Sequence, residues 1–597
     1  MKLSDYVMQF VAEQGVRAVF MLPGGGAMHL NESLGRRTDL EFIANLHEQG
    51  AAIAAEAYSK VTNELGVLMV TTGPGGTNAV TGVASAWLDS MPVLVLSGQV
   101  KRADLKRDSG VRILGVQEID IVSIVRSITK YAVTIEDPLT IRYHLEEAVY
   151  TANAGRRGPV WIDLPLDVQA AQVDPAELPG FTPPAVSPPE GLSAQVHELL
   201  GMLRSAQRPV IVAGNGIRAA GAVHEFHQAI EKLQIPVLTT WLGMDLLGET
   251  HHLNAGRPGS IAPRGANFAL QNSDLMLVVG ARLDMALTGY AHENLARHAV
   301  KIMVDIDEAE IRKMRTAVQL PIEADAGAFV RELNRQIEDA AMPPYDAWVR
   351  RCADWKERYP LMQPEYREVT DGVSTYCLAE AVSTELTGQD VVVSGSSGSG
   401  IELFLLAFQV KEGQRVLHSR GLGAMGFGLP ASIGACIGAG RLRTICVEGD
   451  GSFHMNAQEL ETIRRLELPI KIFVINNNGY ASIRSSQENY FQNLVAADST
   501  SGLSLPSITK VAGAYGLPSR TIASQQDLGR QVREVLETPG PIVCEVLAPA
   551  AEQRAPRLSS MQRADGSMVS RPLEDLYPFL DRDEFLSNMI VPPLDES

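Results

Sequence analysis

Thr444-Ile445-Cys446-Val447 leads into Gly449-Asp450-Gly451-Ser452, and one helix length further on Pro469-Ile470-Lys471-Ile472-Phe473-Val474-Ile475 leads into Asn476-Asn477. Both apolar runs are short, rich in Ile and Val, and bounded by turn residues. That pattern predicts two strands buried on both faces of a parallel sheet, joined by a glycine turn and a helix. The same rhythm occurs twice more. Val67-Leu68-Met69-Val70 passes through Gly73-Pro74-Gly75-Gly76-Thr77-Asn78 to Pro92-Val93-Leu94-Val95-Leu96. Pro209-Val210-Ile211-Val212 passes through Gly214-Asn215-Gly216 to Pro236-Val237-Leu238. One such turn would be no more than a tight strand-to-helix connection. Three in register predict an α/β chain of three doubly wound parallel-sheet domains, with ligands beyond the carboxyl ends of the strands.

Working outward, the Pro-rich stretch 174–194 and Met342-Pro343-Pro344 mark two crossings between domains. The expected division is 1–172, 190–342 and 370–550, followed by a tail, 551–597. Leu576-Tyr577-Pro578-Phe579-Leu580 and Phe585-Leu586 give that tail apolar clusters, so it is expected to pack on the body. The 597 residues are 45% hydrophobic and 20% charged, which favours packed cores over disorder. Net charge is −18, which disfavours nucleic acid as a partner. The cysteines (352, 377, 436, 446 and 544) lack C-x-x-C spacing, so neither a disulfide scaffold nor a zinc-thiolate cluster is expected. No signal-peptide pattern and no apolar run of ~18–20 residues is present. The expectation is a cytoplasmic enzyme without a membrane partner.

Asp450 and the Asn476-Asn477 pair fall at the ends of neighbouring strands. A carboxylate and an amide carbonyl so placed suit a hard cation such as Mg²⁺, which takes a few protein oxygens plus phosphate oxygens. The glycines let backbone amides approach a diphosphate, and the helix start adds favourable dipole charge.

With these motifs the chain resembles the thiamine diphosphate enzyme family, in its acetolactate synthase-like branch. The likeness also rests on Leu46-His47-Glu48-Gln49-Gly50-Ala51-Ala52, Gly73 to Asn78, Gly115-Val116-Gln117-Glu118 and Gly421 to Pro430. It implies a pyrimidine-binding first domain, a Rossmann-like central domain and a diphosphate-binding third domain. It implies that Asp450, Asn477 and the carbonyl of Gly479 hold Mg²⁺, and that Gly398, Ser399, Gly451 and Ser452 line the diphosphate. Gly423 would meet the 4′-amino group, Met425 the pyrimidine, and Met455 would wedge between the two rings. Taken alone, Met455 reads as core filling.

By periodicity alone Glu48 is a helix-start carboxylate favoured by the dipole. The resemblance makes it the buried Glu that bonds the pyrimidine N1′, so that the cofactor acts as its own general base. Gln117 takes the place of an active-site Gln in the family. His29, after the loop Pro23-Gly24-Gly25-Gly26, is a further candidate for substrate contact. Because the family pairs Glu48 and Asp450 across subunits, a homodimer or homotetramer is implied. Arg282, Asp305 and Asp307 correspond to positions that bind FAD in this branch, without a redox role. Asp305 and Asp307 also read as ordinary strand-end turn formers.

Several positions depart from the acetolactate synthase pattern. Ala286 stands where the branch has the arginine that pairs with the acceptor carboxylate. Ser486 stands for a tryptophan, Leu166 for a lysine, and Gly398-Ser399-Gly400 for Gly-Gln-His. Loss of a charge-assisted pair weakens acceptor selection by roughly 2–4 kcal/mol. The expected reaction therefore decarboxylates a 2-oxo acid, pyruvate first, and passes the two-carbon unit to a ketone, aldehyde or keto-sugar. True acetolactate synthesis, simple decarboxylation and a non-catalytic regulatory subunit are the alternatives. The intact Glu48, Asp450 and Asn477 speak against the last.

Overall fold

The computed structural model describes every residue except 186–190, 339–340, 396–397, 563–567 and 595–597. The Val- and Ile-rich runs form three six-stranded sheets, and every recorded strand pairing within them is parallel. The first contains β1 (Ala18–Met21), β2 (Glu41–Ala44), β3 (Gly66–Val70), β4 (Val93–Gln99), β5 (Tyr131–Thr134) and β6 (Val160–Pro165). The second contains β7 (Pro209–Ala213), β8 (Val237–Thr239), β9 (Asn254–Gly256), β10 (Leu275–Val279), β11 (Val300–Asp305) and β12 (Leu320–Glu323). The third contains β13 (Val391–Ser394), β14 (Arg415–Leu417), β15 (Thr444–Gly449), β16 (Ile470–Asn476), β17 (Ser519–Ile522) and β18 (Ile542–Leu547).

Strand order separates the sheets into two kinds. The first runs β2-β1-β3-β4-β6-β5, and the third repeats it as β14-β13-β15-β16-β18-β17. The second runs β12-β11-β10-β7-β8-β9, the order of the dinucleotide-binding doubly wound fold. The direction in which successive strands are added reverses between β1 and β3, between β7 and β10, and between β13 and β15. Crevices for ligands open at those reversals, past the carboxyl ends of the strands. The sequence's three glycine turns follow β3, β7 and β15.

The chain forms two compact units. Residues 1–185, 389–401 and 415–550 make one, holding the first and third sheets; residues 186–388, 402–414 and 551–597 make the other. In the first unit, helices α1 (Glu48–Thr62), α2 (Pro74–Leu88) and α3 (Gly428–Gly438) form the centre. α1 buries Ala51, Ala52, Ala54, Ala55 and Ala57, side chains small enough for close approach. A Cβ on Gly82 of α2 would come within 2.4 Å of the Ala52 Cβ, and one on Gly434 of α3 within 1.9 Å of the Ala54 carbonyl oxygen. Phe20, Trp161, Ile433 and Phe453 belong to one continuous apolar core there. Near the end of α1 the buried Lys60 Nζ lies 2.7 Å from Glu56 and donates to Asp89 at 2.8 Å and to the His418 carbonyl at 3.0 Å. Asp89 in turn accepts the Gly421 amide at 2.9 Å, fixing the entry to the 421–428 loop.

In the second unit the tail returns onto the central sheet's cover. Arg557 and Tyr577 exchange backbone hydrogen bonds of 3.0 and 2.8 Å, and Asn267 donates to the Leu573 carbonyl at 2.7 Å. Leu573 and Phe585 join the cluster of Phe268, Trp348 and Trp355. The five cysteines are buried thiols without disulfide partners. Among the described residues no helix is long and apolar enough to cross a membrane.

Candidate active site

Asp450 opens the short helix α4 (Asp450–Met455) at the end of β15, and only 3% of it is exposed. Its carboxylate accepts the amides of Gly451 at 2.7 Å and Gly479 at 2.8 Å. Burial pushes its pKa up to about 6, and the amides of Gly479, Gly451 and Asn477 pull the other way. Among the described residues no lysine or arginine forms an ion pair with it. Asn477 and Gly479 follow β16, the strand paired beside β15. Gly479 has φ +115°, and a Cβ there would lie 2.5 Å from the Ala497 carbonyl oxygen, so this turn requires glycine. A buried carboxylate with no ion pair among the described residues, beside a turn that carries Asn477 and the Gly479 carbonyl, offers oxygen donors that fit Mg²⁺.

The backbone around Asp450 is held from several sides. Gly426 donates its amide to Ser452 Oγ at 2.7 Å and accepts from Asn456 Nδ2 at 2.7 Å, so the 421–428 loop is docked on α4. That loop carries Gly423, with φ +67°, and Met425. The space a Cβ would take on Gly451 is filled by the Tyr480 ring, and the Met425 methyl approaches that point to 3.5 Å. Met455, at the end of α4, is half exposed. Gly398, with φ +108°, immediately precedes the helix Ser399–Ala407. Glu448, fully buried, lies under the glycine turns: a Cβ on Gly395 or Gly428 would come within 2.3 or 2.0 Å of its oxygens. A cavity of about 460 Å³ is lined by Asp450, His454, Asn476, Asn478, Gly479 and Glu545, among others.

A second group gathers at the carboxyl end of the first sheet. Glu48 is the first residue of α1, 6% exposed, and accepts from Asn78 Nδ2 of α2 at 3.0 Å. His47 caps that helix, its Nδ1 accepting the Gln49 amide at 3.1 Å. Gln117 is exposed with φ +65°, and its carbonyl lies where a Cβ on Gly73, at the start of α2, would collide at 2.4 Å. His29 is half buried in the first turn of the helix Met28–Gly35, past a loop whose Gly26 amide donates to Thr71 Oγ1 at 3.1 Å. Glu48, Gln117 and the loop before His29 thus meet the turn after β3. Among the described residues no hydrogen bond or ion pair joins Glu48 to Asp450 or to the 421–428 loop.

In the second unit, Gly214 and Gly216 press against Gly280, where added Cβ atoms would lie 2.1 and 2.7 Å from its backbone. Arg282 stands 4.0 Å from Asp284. Asp305 accepts the Asp307 amide at 3.0 Å, and Asp307 caps the helix Glu308–Arg312 through the Ala309 amide at 3.1 Å.

Three participants escaped the sequence reading. Asn78 was visible only as the end of a glycine turn. Arg484, on α6 (Ala481–Phe491), is buried and donates to the carbonyls of Asn477 at 3.1 Å and Asn478 at 3.2 Å, as well as to Ala550. Glu459, at the start of α5 (Glu459–Arg465), is fully buried beside Leu460 and Ile463. A charge on the apolar stripe of an amphipathic helix was the available signal for Glu459.

Known proteins match the chain along nearly its full length. Residues 1–124 match the thiamine pyrophosphate enzyme N-terminal TPP binding domain, 196–333 the central domain, and 399–546 the C-terminal TPP binding domain. The acetolactate synthase large subunit of Cyanidium caldarium is 33% identical over 571 residues, 93% of this chain and 94% of that protein. That of Lactococcus lactis subsp. lactis is 32% identical over 567 residues, 94% of this chain and 95% of that protein. The chloroplastic acetolactate synthase of Arabidopsis thaliana is 31% identical over 572 residues, covering 94% and 83%.

Proposed function

This chain belongs to the thiamine diphosphate-dependent enzymes, in their acetolactate synthase-like branch, and from that premise we propose that it transfers a two-carbon unit from pyruvate to a ketone, aldehyde or keto-sugar. The observation that carries the reading is Asp450: buried, without an ion pair among the described residues, and set at neighbouring strand ends with Asn477 and Gly479. Bound thiamine diphosphate supplies a thiazolium carbon that takes up the electrons freed as CO₂ leaves. Asp450, Asn477 and the Gly479 carbonyl hold its Mg²⁺, and Gly398, Ser399, Gly451 and Ser452 hold its diphosphate. Gly423, Met425 and Met455 orient its rings. Glu48 turns its carboxyl group toward the pyrimidine, oriented by the Asn78 amide that donates to it. Gln117 and His29 face the donor acid. Since Glu48 and Asp450 sit in separate groups within one chain, two copies complete each site.

Ala286 and Ser486 support the uncharged acceptor. Ser486 is exposed on α6, where a short hydroxyl leaves room that an indole would fill. A second reading, acetolactate formation with a 2-oxo acid as acceptor, is favoured by the names of the relatives. FAD, without a redox role, is proposed as a further cofactor beside Arg282, Asp305 and Asp307 of the second unit.

Product analysis of the purified protein tests the proposal. With pyruvate plus a panel of ketones and aldehydes, the reading expects branched adducts formed well above the rate of acetolactate from pyruvate alone. Acetolactate as the sole product under every condition would overturn the acceptor assignment and leave the second reading.

A further inference from the structure

Glu459 belongs to the third-sheet half of the first unit, yet its carboxylate is spent on the strand-to-helix connection of the first sheet. Oε1 accepts the Leu46 amide at 3.0 Å, and Oε2 accepts Asn45 Nδ2 at 2.8 Å and Thr462 Oγ1 at 2.9 Å. The His47 amide is a further donor toward it. Asn45, Leu46 and His47 are the whole link between β2, which ends at Ala44, and Glu48 at the head of α1. A Cβ on Gly50 would lie 2.6 Å from Oε1, so the first turn of α1 rests directly on this carboxylate.

Every group turned toward Glu459 in these contacts is a donor. A carboxylate accepts them all; an amide of the same shape would set its own N–H₂ against donors. Burial raises the Glu459 pKa while these donors pull it down, and its ionised form also meets the positive end of the α1 dipole. The backbone that aims Glu48 is therefore fixed by a side chain from a different part of the chain.

We propose that Glu459 is a positioning residue for Glu48, holding the 45–47 link so that the Glu48 carboxyl group keeps its reactive placement. The inference rests on the reading of Glu48 given above. Its cost when removed follows from geometry, because a misplacement of about 1 Å at a catalytic group lowers rates by about a hundredfold. A residue that merely glued the two sheets together would lower stability without singling out the link.

The test uses full-length Glu459→Gln and Asn45→Ala, with the partly exposed Glu461→Gln as control. In apoprotein, amide exchange of the peptide spanning residues 45–51 is expected to rise about tenfold in both variants. In holoenzyme, kcat is expected to fall about tenfold to a hundredfold while the pyruvate KM and thiamine diphosphate Kd stay within about threefold. In a Glu48→Gln background, Glu459→Gln should add little further loss, as expected for two residues acting as one device. Unchanged exchange together with kcat within about twofold of wild type in both variants would overturn the inference, as would fully additive losses in the double variant. If Glu459→Gln fails to fold, Asn45→Ala, which removes one donor only, decides by the same readouts. A wild-type protein without cofactor-dependent turnover would instead defeat the reading of Glu48, and amide exchange would still report whether Glu459 holds the link.

Discussion

Arg484 shows how one side chain shapes a site without belonging to it. Its guanidinium fork takes the carbonyls of Asn477 and Asn478 and of Ala550, closing the turn that presents Asn477 and Gly479. Asp498 lies 3.7 Å away and balances its charge. Replacing Arg484 with Met keeps much of the stem's volume and removes the donors, so the turn loosens while Asp450 stays in place. The Mg²⁺ concentration needed for half-maximal cofactor binding should rise about tenfold or more, the usual effect of removing support behind a metal ligand. Titration of Mg²⁺ against thiamine diphosphate binding checks this, and an unchanged midpoint would show that the turn holds itself. Arg484 was illegible in the sequence because its partners are backbone carbonyls, which carry no residue signature.

Across β4, β5 and β6 a buried carboxylate organises the end of the first sheet. Asp163 of β6 accepts Ser97 Oγ of β4 at 2.6 Å, Gln99 Nε2 of β4 at 3.1 Å and Thr134 Oγ1 of β5 at 3.0 Å. Gln99 also donates to the Ile119 carbonyl at 3.0 Å and accepts from Thr72 Oγ1 at 2.8 Å, linking the sheet to both loops beside Gln117. Burial dominates over these hydrogen bonds and pushes the Asp163 pKa up to about 7. The folded protein therefore holds this proton more tightly than the unfolded chain. The associated stability is complete below about pH 4 and is lost as the pH rises through about 7. Asp163→Asn should shrink the drop in thermal midpoint between pH 5 and pH 8; an identical drop would place the titration elsewhere. Of these strands β4 was legible, since parallel sheets bury both strand faces and leave runs such as Val93-Leu94-Val95-Leu96. Their order was not, because pairing is decided by contacts between residues far apart in the chain.

Across the molecule, the three glycine turns read from the sequence all lie past the ends of strands at or beside a reversal of strand order, where doubly wound sheets leave room for ligands. Repetition made that much legible: the first and third sheets share one strand order, and the second differs. The positions proposed for cofactor and metal come from the likeness of Gly449 to Asn477, and of Leu46 to Ala52, to a known family. The supports behind them, Asn78, Glu459 and Arg484, were not legible, since each acts on a segment distant in sequence. Everything turns on Glu48 acting on a coenzyme anchored at Asp450. CO₂ release from pyruvate by wild-type protein and Glu48→Gln, measured with and without thiamine diphosphate and Mg²⁺ alongside coenzyme binding, tests it most directly. Release should require both additions and fall about a hundredfold or more in Glu48→Gln while the coenzyme still binds. Undiminished release by Glu48→Gln, or release by wild type that ignores the coenzyme, would contradict it.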